Sequence, residues 1–151
     1  MIPLSAGKKI LIVAGEASGD LHASKVAEAL LGLDPAVEIL AMGGAALRRR
    51  GAKMLVDSSE LAVVGLTEVV GKLGGIYRAY RKLKETIRHG GIALVILVDF
   101  PDFNLRVARV ARKAGVPILY YISPQVWAWR SGRTKTIART VQKMAVIFPF
   151  E

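Results

Sequence analysis

Ile92-Ala-Leu-Val-Ile-Leu-Val98 runs straight into Asp99-Phe-Pro-Asp-Phe-Asn104. Seven consecutive apolar residues, mostly β-branched or leucine, predict a strand buried on both faces. In an open α/β sheet, ligands sit beyond the carboxyl ends of the strands. The chain therefore places two carboxylates, a proline and an asparagine where chemistry is usually done. Asp102 and Asn104 are also candidates to cap the following helix. Asp99 follows the apolar run directly and lies too far upstream to be that cap.

Strand and helix patterns alternate outward from this segment. Strands are predicted over Lys8–Ala14, Val37–Met42, Lys53–Val56, Ile92–Val98, Pro117–Ile122 and Met144–Phe148. Helices are predicted over Asp20–Leu31, Ala45–Arg50, Ile76–His89, Phe103–Lys113 and Ser131–Val141. Ile76, Tyr80, Leu83 and Ile87 recur at helical spacing, and Gly51 and Gly115 stop two of the helices. Such alternation predicts a doubly wound parallel sheet, Rossmann-like, with right-handed crossovers and helices on both faces. No internal repeat or linker interrupts it.

The 151 residues suffice for one domain with a real core, and 52% apolar content excludes a disordered chain. No apolar run is long enough to span a bilayer, and Met1–Ala6 is too short and uncharged for a signal peptide. The absence of cysteine excludes disulfides and thiolate metal sites and fits a cytosolic protein. With only His22 and His89, far apart, neither a metal site nor a Ser-His triad is expected. Net charge is +10, from 22 basic and 12 acidic residues. Such a balance implies an anionic partner, whether nucleic acid, anionic lipid or a phosphorylated substrate, or a solvated surface.

Three further segments carry weight. Gly15-Glu-Ala-Ser-Gly-Asp20 is a tight turn ahead of a helix whose N-terminus could hold an anion. It lacks the G-x-G-x-x-G dinucleotide pattern, and its two acids would repel a pyrophosphate. Ser18 or Asp20 is expected to cap the helix, which leaves Glu16 to face a cleft. Tyr120-Tyr-Ile-Ser-Pro-Gln-Val-Trp-Ala-Trp-Arg130 holds both tryptophans beside an arginine, suited to a sugar, an acyl chain or core packing. Basic residues follow at Arg133, Lys135, Arg139 and Lys143, and Arg106, Arg109 and Arg112 form a row whose usual explanation is a solvated face. Leu61–Tyr77 is apolar and glycine-rich, flanked by Lys72, Arg78, Arg81, Lys82 and Lys84. By itself it favours a buried helix with a basic outer face over a monotopic lipid contact.

Ala14-Gly-Glu-Ala-Ser-Gly-Asp20, Glu60-Leu-Ala-Val-Val-Gly-Leu-Thr-Glu-Val-Val70, Asp99-Phe-Pro-Asp-Phe-Asn104, Tyr121-Ile-Ser-Pro-Gln-Val-Trp-Ala-Trp-Arg130 and Phe148-Pro-Phe-Glu151 together resemble the lipid-A-disaccharide synthase family. The blocks keep the family's order and cover essentially the whole chain. The resemblance implies an inverting GT-B glycosyltransferase of family 19. Its donor is UDP-2,3-diacylglucosamine and its acceptor 2,3-diacylglucosamine 1-phosphate; the products are the β-1,6 disaccharide of lipid A and UDP. It implies no cofactor, no metal and no nucleic acid partner. It also implies a peripheral position on the cytoplasmic face of the anionic inner membrane of Gram-negative bacteria. Residues 1–151 would then be the N-terminal, acceptor-side domain, inactive alone, with the donor-binding C-terminal domain absent.

The resemblance assigns roles. Asp99 becomes the general base for the acceptor 6-hydroxyl, with Asp102 and Asn104 orienting it or the substrate. Glu16, Ser18 and Asp20 line the same cleft, Trp127 is a substrate contact, and Arg130 is a candidate for the acceptor phosphate. Val69, Val70, Leu73, Ile76 and Tyr77 become membrane contacts, reversing the reading of that stretch from its own residues. Gly74, Gly75 and Gln142 depart from the family pattern. Other classes are a non-catalytic module that binds diacyl sugar phosphates and an RNA-binding Rossmann-like domain. A dehydrogenase is disfavoured by the first loop.

Overall fold

A computed structural model describes residues 7–61, 69–121 and 143–145, with side chains described for 7–59 and 73–121. Six strands form one sheet: β1 (Lys9–Ala14), β2 (Glu38–Gly43), β3 (Lys53–Asp57), β4 (Ile92–Val98), β5 (Ile118–Tyr121) and β6 (Lys143–Ala145). Their spatial order is β3-β2-β1-β4-β5-β6, and every neighbouring pair is parallel. Among the described residues, four helices connect the first five strands: α1 (Ala17–Leu33), α2 (Ala45–Arg49), α3 (Val69–His89) and α4 (Pro101–Lys113). A 3-10 turn covers Ser58–Leu61. This is the Rossmann-like doubly wound sheet predicted from the alternating pattern. The helix predicted over 131–141 lies outside the described residues.

The period-2 alternation of strand side chains divides the core in two. Leu11, Val13, Leu40, Met42, Val95, Leu97, Ile118 and Tyr120 face α3 and α4, where they meet Leu83, Phe103 and Val107. Ile10, Ile12, Ala14, Ile39, Ala41, Ile96 and Val98 face the opposite side, where they meet Ala23, Ala27 and Leu47 of α1 and α2. β1 and β4 are thus buried on both faces, which is why their sequences read as unbroken apolar runs. Small residues on α1, Ala23 and Ala27, let that helix lie close to the sheet.

Strand order reverses between β1 and β4. Connections leave these two strands in opposite directions, so their carboxyl ends open a crevice. Ala14 ends β1 and Val98 ends β4, paired in register. The loops that follow, Gly15–Glu16 and Asp99–Phe100, form the crevice walls.

Candidate functional site

The two loops are locked together by packing. A Cβ on Gly15 would lie 2.3 Å from Cδ1 of Phe100, so only glycine admits the ring there. The Phe100 ring also stacks, tilted, against Phe103 at 5.3 Å between centroids. Pro101 begins α4, where its missing N–H costs nothing, and it bars Phe100 from the right-handed helical region.

Asp99 and Phe100 both adopt left-handed backbone conformations, with φ of 46° and 52°. They are the only non-glycine residues to do so among the described residues. Two successive side chains in this region cost about 1 kcal/mol or more each, and such conformations persist where surrounding contacts over-determine them. The contacts are visible. Asn104 is fully buried, and its Nδ2 donates to the carbonyl of Asp99 at 2.6 Å and of Val98 at 3.3 Å, with a longer approach to Val13 at 3.5 Å. The Tyr120 hydroxyl, from β5, donates to the same Asp99 carbonyl at 2.8 Å. Asn104 thereby ties β1, β4 and the first turn of α4 at the point where the sheet reverses.

A cleft of about 660 Å³ opens over this turn, lined by Glu16, Ile76, Asp99, Phe100, Pro101, Asp102, Phe103 and Arg106. Three carboxylates and one guanidinium thus share a cavity with Ile76, Phe100, Pro101 and Phe103. Glu16 and Asp102 are exposed, and Asp99 is half-buried. Such a cavity can hold a hydroxylated ring against its aromatic side while a carboxylate accepts a proton.

Of the residues marked by the sequence, Glu16, Asp99 and Asp102 come together in this cleft. Ser18 is exposed on the first turn of α1 and is not among its lining residues. Asn104 is a positioning residue beneath Asp99, not part of the cleft wall. Trp127 and Arg130 lie outside the described residues.

Asp20 is a correction. It is 6% exposed, and its carboxylate turns away from the cleft to the start of α2. Oδ1 accepts from the N–H groups of Gly44 (2.8 Å) and Leu47 (3.1 Å), and Oδ2 from that of Ala46 (2.9 Å). Asp20 therefore serves the unsatisfied donors of a helix other than its own. A Cβ on Gly44 would stand 2.9 Å from Oδ2, so glycine permits this approach. The expected local caps are corrected as well. Glu16 and Phe100 occupy the N-cap positions of α1 and α4, and neither makes a side-chain cap hydrogen bond.

Among the expected membrane contacts, Leu73 and Tyr77 are 63% and 60% exposed. Ile76 points inward instead, packing on the core and lining the cleft. The side chains of Val69 and Val70 lie outside those described. Sequence reasoning missed Phe100, Phe103, Arg106 and Tyr120. Arg106 stands one turn after Asp102, a spacing that signals a shared face.

Residues 10–151 match the family model described as lipid-A-disaccharide synthetase. The chain belongs to the lipid-A-disaccharide synthase family. It is 57% identical over 144 residues to the lipid-A-disaccharide synthase of Geobacter metallireducens, covering 95% of this chain and 38% of that protein. The enzyme of the same name from Coxiella burnetii is 42% identical over 146 residues, covering 97% and 39%. The chain thus spans well under half the length of these relatives. Among solved structures, S. aureus MnaA with UDP superposes with a TM-score of 0.61 over 92% of this chain and 37% of its own, at 14% identity. The DNA processing protein A of Streptococcus pneumoniae superposes at 0.52 over 92% and 59%, at 12% identity. These two show the shared fold alone.

Proposed function

We propose that this segment is the acceptor-side domain of an inverting GT-B glycosyltransferase, in which Asp99 is the catalytic base. The observation that carries this is the Asp99 turn, a carboxylate at the strand-order reversal, on a backbone held out of its relaxed conformation by Asn104 and Tyr120. Membership of the family supplies the reaction class.

In this mechanism the acceptor, 2,3-diacylglucosamine 1-phosphate, lies in the cleft with its 6-hydroxyl at Asp99. The carboxylate takes the hydroxyl proton as the oxygen attacks the anomeric carbon of UDP-2,3-diacylglucosamine. The bond to UDP breaks on the opposite face, and configuration inverts. Both electrons of the broken bond leave with UDP. Asp99 is left protonated and returns its proton to solvent. A base fixed ahead of time saves reorientation during the step. The Phe100 and Phe103 rings offer the sugar an apolar face, and Glu16 and Asp102 offer hydroxyl acceptors. The donor would be held chiefly by residues beyond this segment.

Association with an anionic membrane surface forms part of the same proposal. Exposed Leu73 and Tyr77 on α3, beside basic residues, support a peripheral contact. No helix among the described residues is long and apolar enough to cross a membrane.

The test is turnover of the full-length protein carrying Asp99→Asn. Loss of kcat by about a hundredfold or more is expected for removal of a general base, with the fold intact by circular dichroism. Turnover near that of the unsubstituted protein would remove Asp99 from the base role, whereas sugar-phosphate binding without turnover in the unsubstituted protein would leave only a binding module.

A further inference from the structure

A second cavity, of about 350 Å³, lies between α3 and α4 and shares Arg106 with the cleft. Tyr80, Lys84 and Arg88 line it from α3, and Arg106, Arg109 and Lys113 from α4. Five cations therefore converge on one concave site. None of the five has an ion-pair partner among the described residues, where the pairs are Arg48–Asp57, Arg50–Glu28 and His89–Glu85. The nearest acid on α3, Glu85, is engaged with His89 at 3.7 Å.

This arrangement differs from a solvated basic face. A solvated face spreads its charges over a convex surface, where water and salt screen them. Here two packed helices hold like charges on opposite walls of a hollow, which is unfavourable until an anion occupies it. Lys84 and Arg88 repeat at i, i+4 on α3; Arg106, Arg109 and Lys113 fall at i, i+3 and i+7 on α4, so each set shares one helical face. Arginine forks match phosphate oxygens, and the lysines add point charge. Arg106 lines both this pocket and the cleft that contains Asp99, so the two cavities share a wall.

We infer that the α3–α4 pocket is a phosphate-monoester binding subsite, adjoining the cleft through Arg106. This deepens the function proposed above, whose acceptor carries a phosphate, and moves that recognition from Arg130 to residues of α3 and α4. Binding at the pocket requires no transfer of sugar, so it is open to separate measurement.

The experiment is an amide NMR titration of the 151-residue chain with inorganic phosphate, at ionic strength held constant with chloride. Saturable shifts at Lys84, Arg106 and Arg109 are expected. The double variant Arg109→Gln, Lys113→Gln, at exposed positions, is expected to weaken phosphate binding at least about tenfold, with distant amides unmoved. The charge-keeping variant Lys113→Arg is expected to bind nearly as well. Phosphate shifts no greater than those of chloride, or shifts that survive the double variant, would overturn the inference. Two further arms identify the phosphate's source. Tighter binding of glucosamine 1-phosphate than of inorganic phosphate, with Asp99 and Asp102 shifting too, assigns it to a ligand in the cleft. Binding to phosphatidic acid vesicles that the double variant loses, without preference for glucosamine 1-phosphate, assigns it to a lipid headgroup. If Asp99→Asn left turnover intact, the base assignment would fall and the pocket would stand.

Discussion

The Tyr120 hydroxyl reaches from β5 to the Asp99 carbonyl at 2.8 Å, so the strand beside β4 fixes the backbone that carries the proposed base. Tyr120 is fully buried, and its ring fills the core on the α3–α4 side. Tyr120→Phe keeps the ring and deletes the donor. A net loss of about 1 kcal/mol in unfolding free energy is expected, read from urea denaturation. In the full-length protein, kcat should fall with KM little changed, because the turn under the carboxylate relaxes. An unchanged kcat would show that the Tyr120 hydroxyl is not needed to set the turn.

Asn104 should matter more. Its amide is the donor for two buried carbonyls, and Asn104→Ala would leave both without it. The expected loss is about 1–2 kcal/mol, since the Val98 carbonyl loses this donor while the Asp99 carbonyl keeps the Tyr120 hydroxyl. Asn104→Asp is not conservative either, because a carboxylate would face two carbonyl oxygens. Stability within about 0.5 kcal/mol of the parent would contradict the assigned role.

Asp20→Ala tests the link between α1 and α2. Three N–H groups lose their acceptor, and a loss of about 1–2 kcal/mol is expected. Hydrogen exchange should quicken at Gly44, Ala46 and Leu47 while the amides of β4 stay protected. Binding in the cleft should be unaffected, since the carboxylate faces away from it. Loss of sugar-phosphate affinity with those amides still protected would return Asp20 to the cleft.

Asp57 gives a pH dependence. Its carboxylate accepts from the Ser59 hydroxyl and N–H at 2.6 and 2.9 Å, and Arg48 pairs with it at 3.0 Å. The Ser59 hydrogen bonds, then the Arg48 charge, outweigh partial burial and hold its pKa below the ordinary 3.8. A carboxyl whose pKa is lowered by folding stabilises the native state above its unfolded pKa, and that contribution fades as pH falls through the folded value. Asp57→Asn should therefore lower the urea midpoint at pH 7, and the gap to the parent should close below pH 3.8. A gap that is constant with pH would exclude the ionised carboxylate as its source.

The sheet was legible because its signals are local. The bounds predicted for β4, Ile92–Val98, are those observed, and an unbroken apolar run has few other fates in an alternating pattern. Helix starts were less legible. α1 and α4 begin at Ala17 and Pro101, ahead of the predicted Asp20 and Phe103, because their N-caps carry no capping side chain. Asp20 does cap a helix, but one 24 or more residues away, and no local pattern encodes that pairing. Arg106 read as part of a solvated row because a row of arginines looks the same whether it faces water or a facing helix. Asp99 stood out for a physical reason: a charge that ends a buried strand has few structural uses.

The charges of the helices are divided unequally between the two sides of the sheet. α3 and α4 carry ten lysines and arginines against two acids, whereas α1 and α2 carry three against two. Among the described helices, positive charge is therefore concentrated on one side of the plane of the strands. A negatively charged surface would turn the molecule before touching it, aligning the α3–α4 side inward over a distance of about one Debye length, about 8 Å at physiological salt. Orientation at first encounter is then set by long-range torque, leaving short-range fit to govern how long the protein stays.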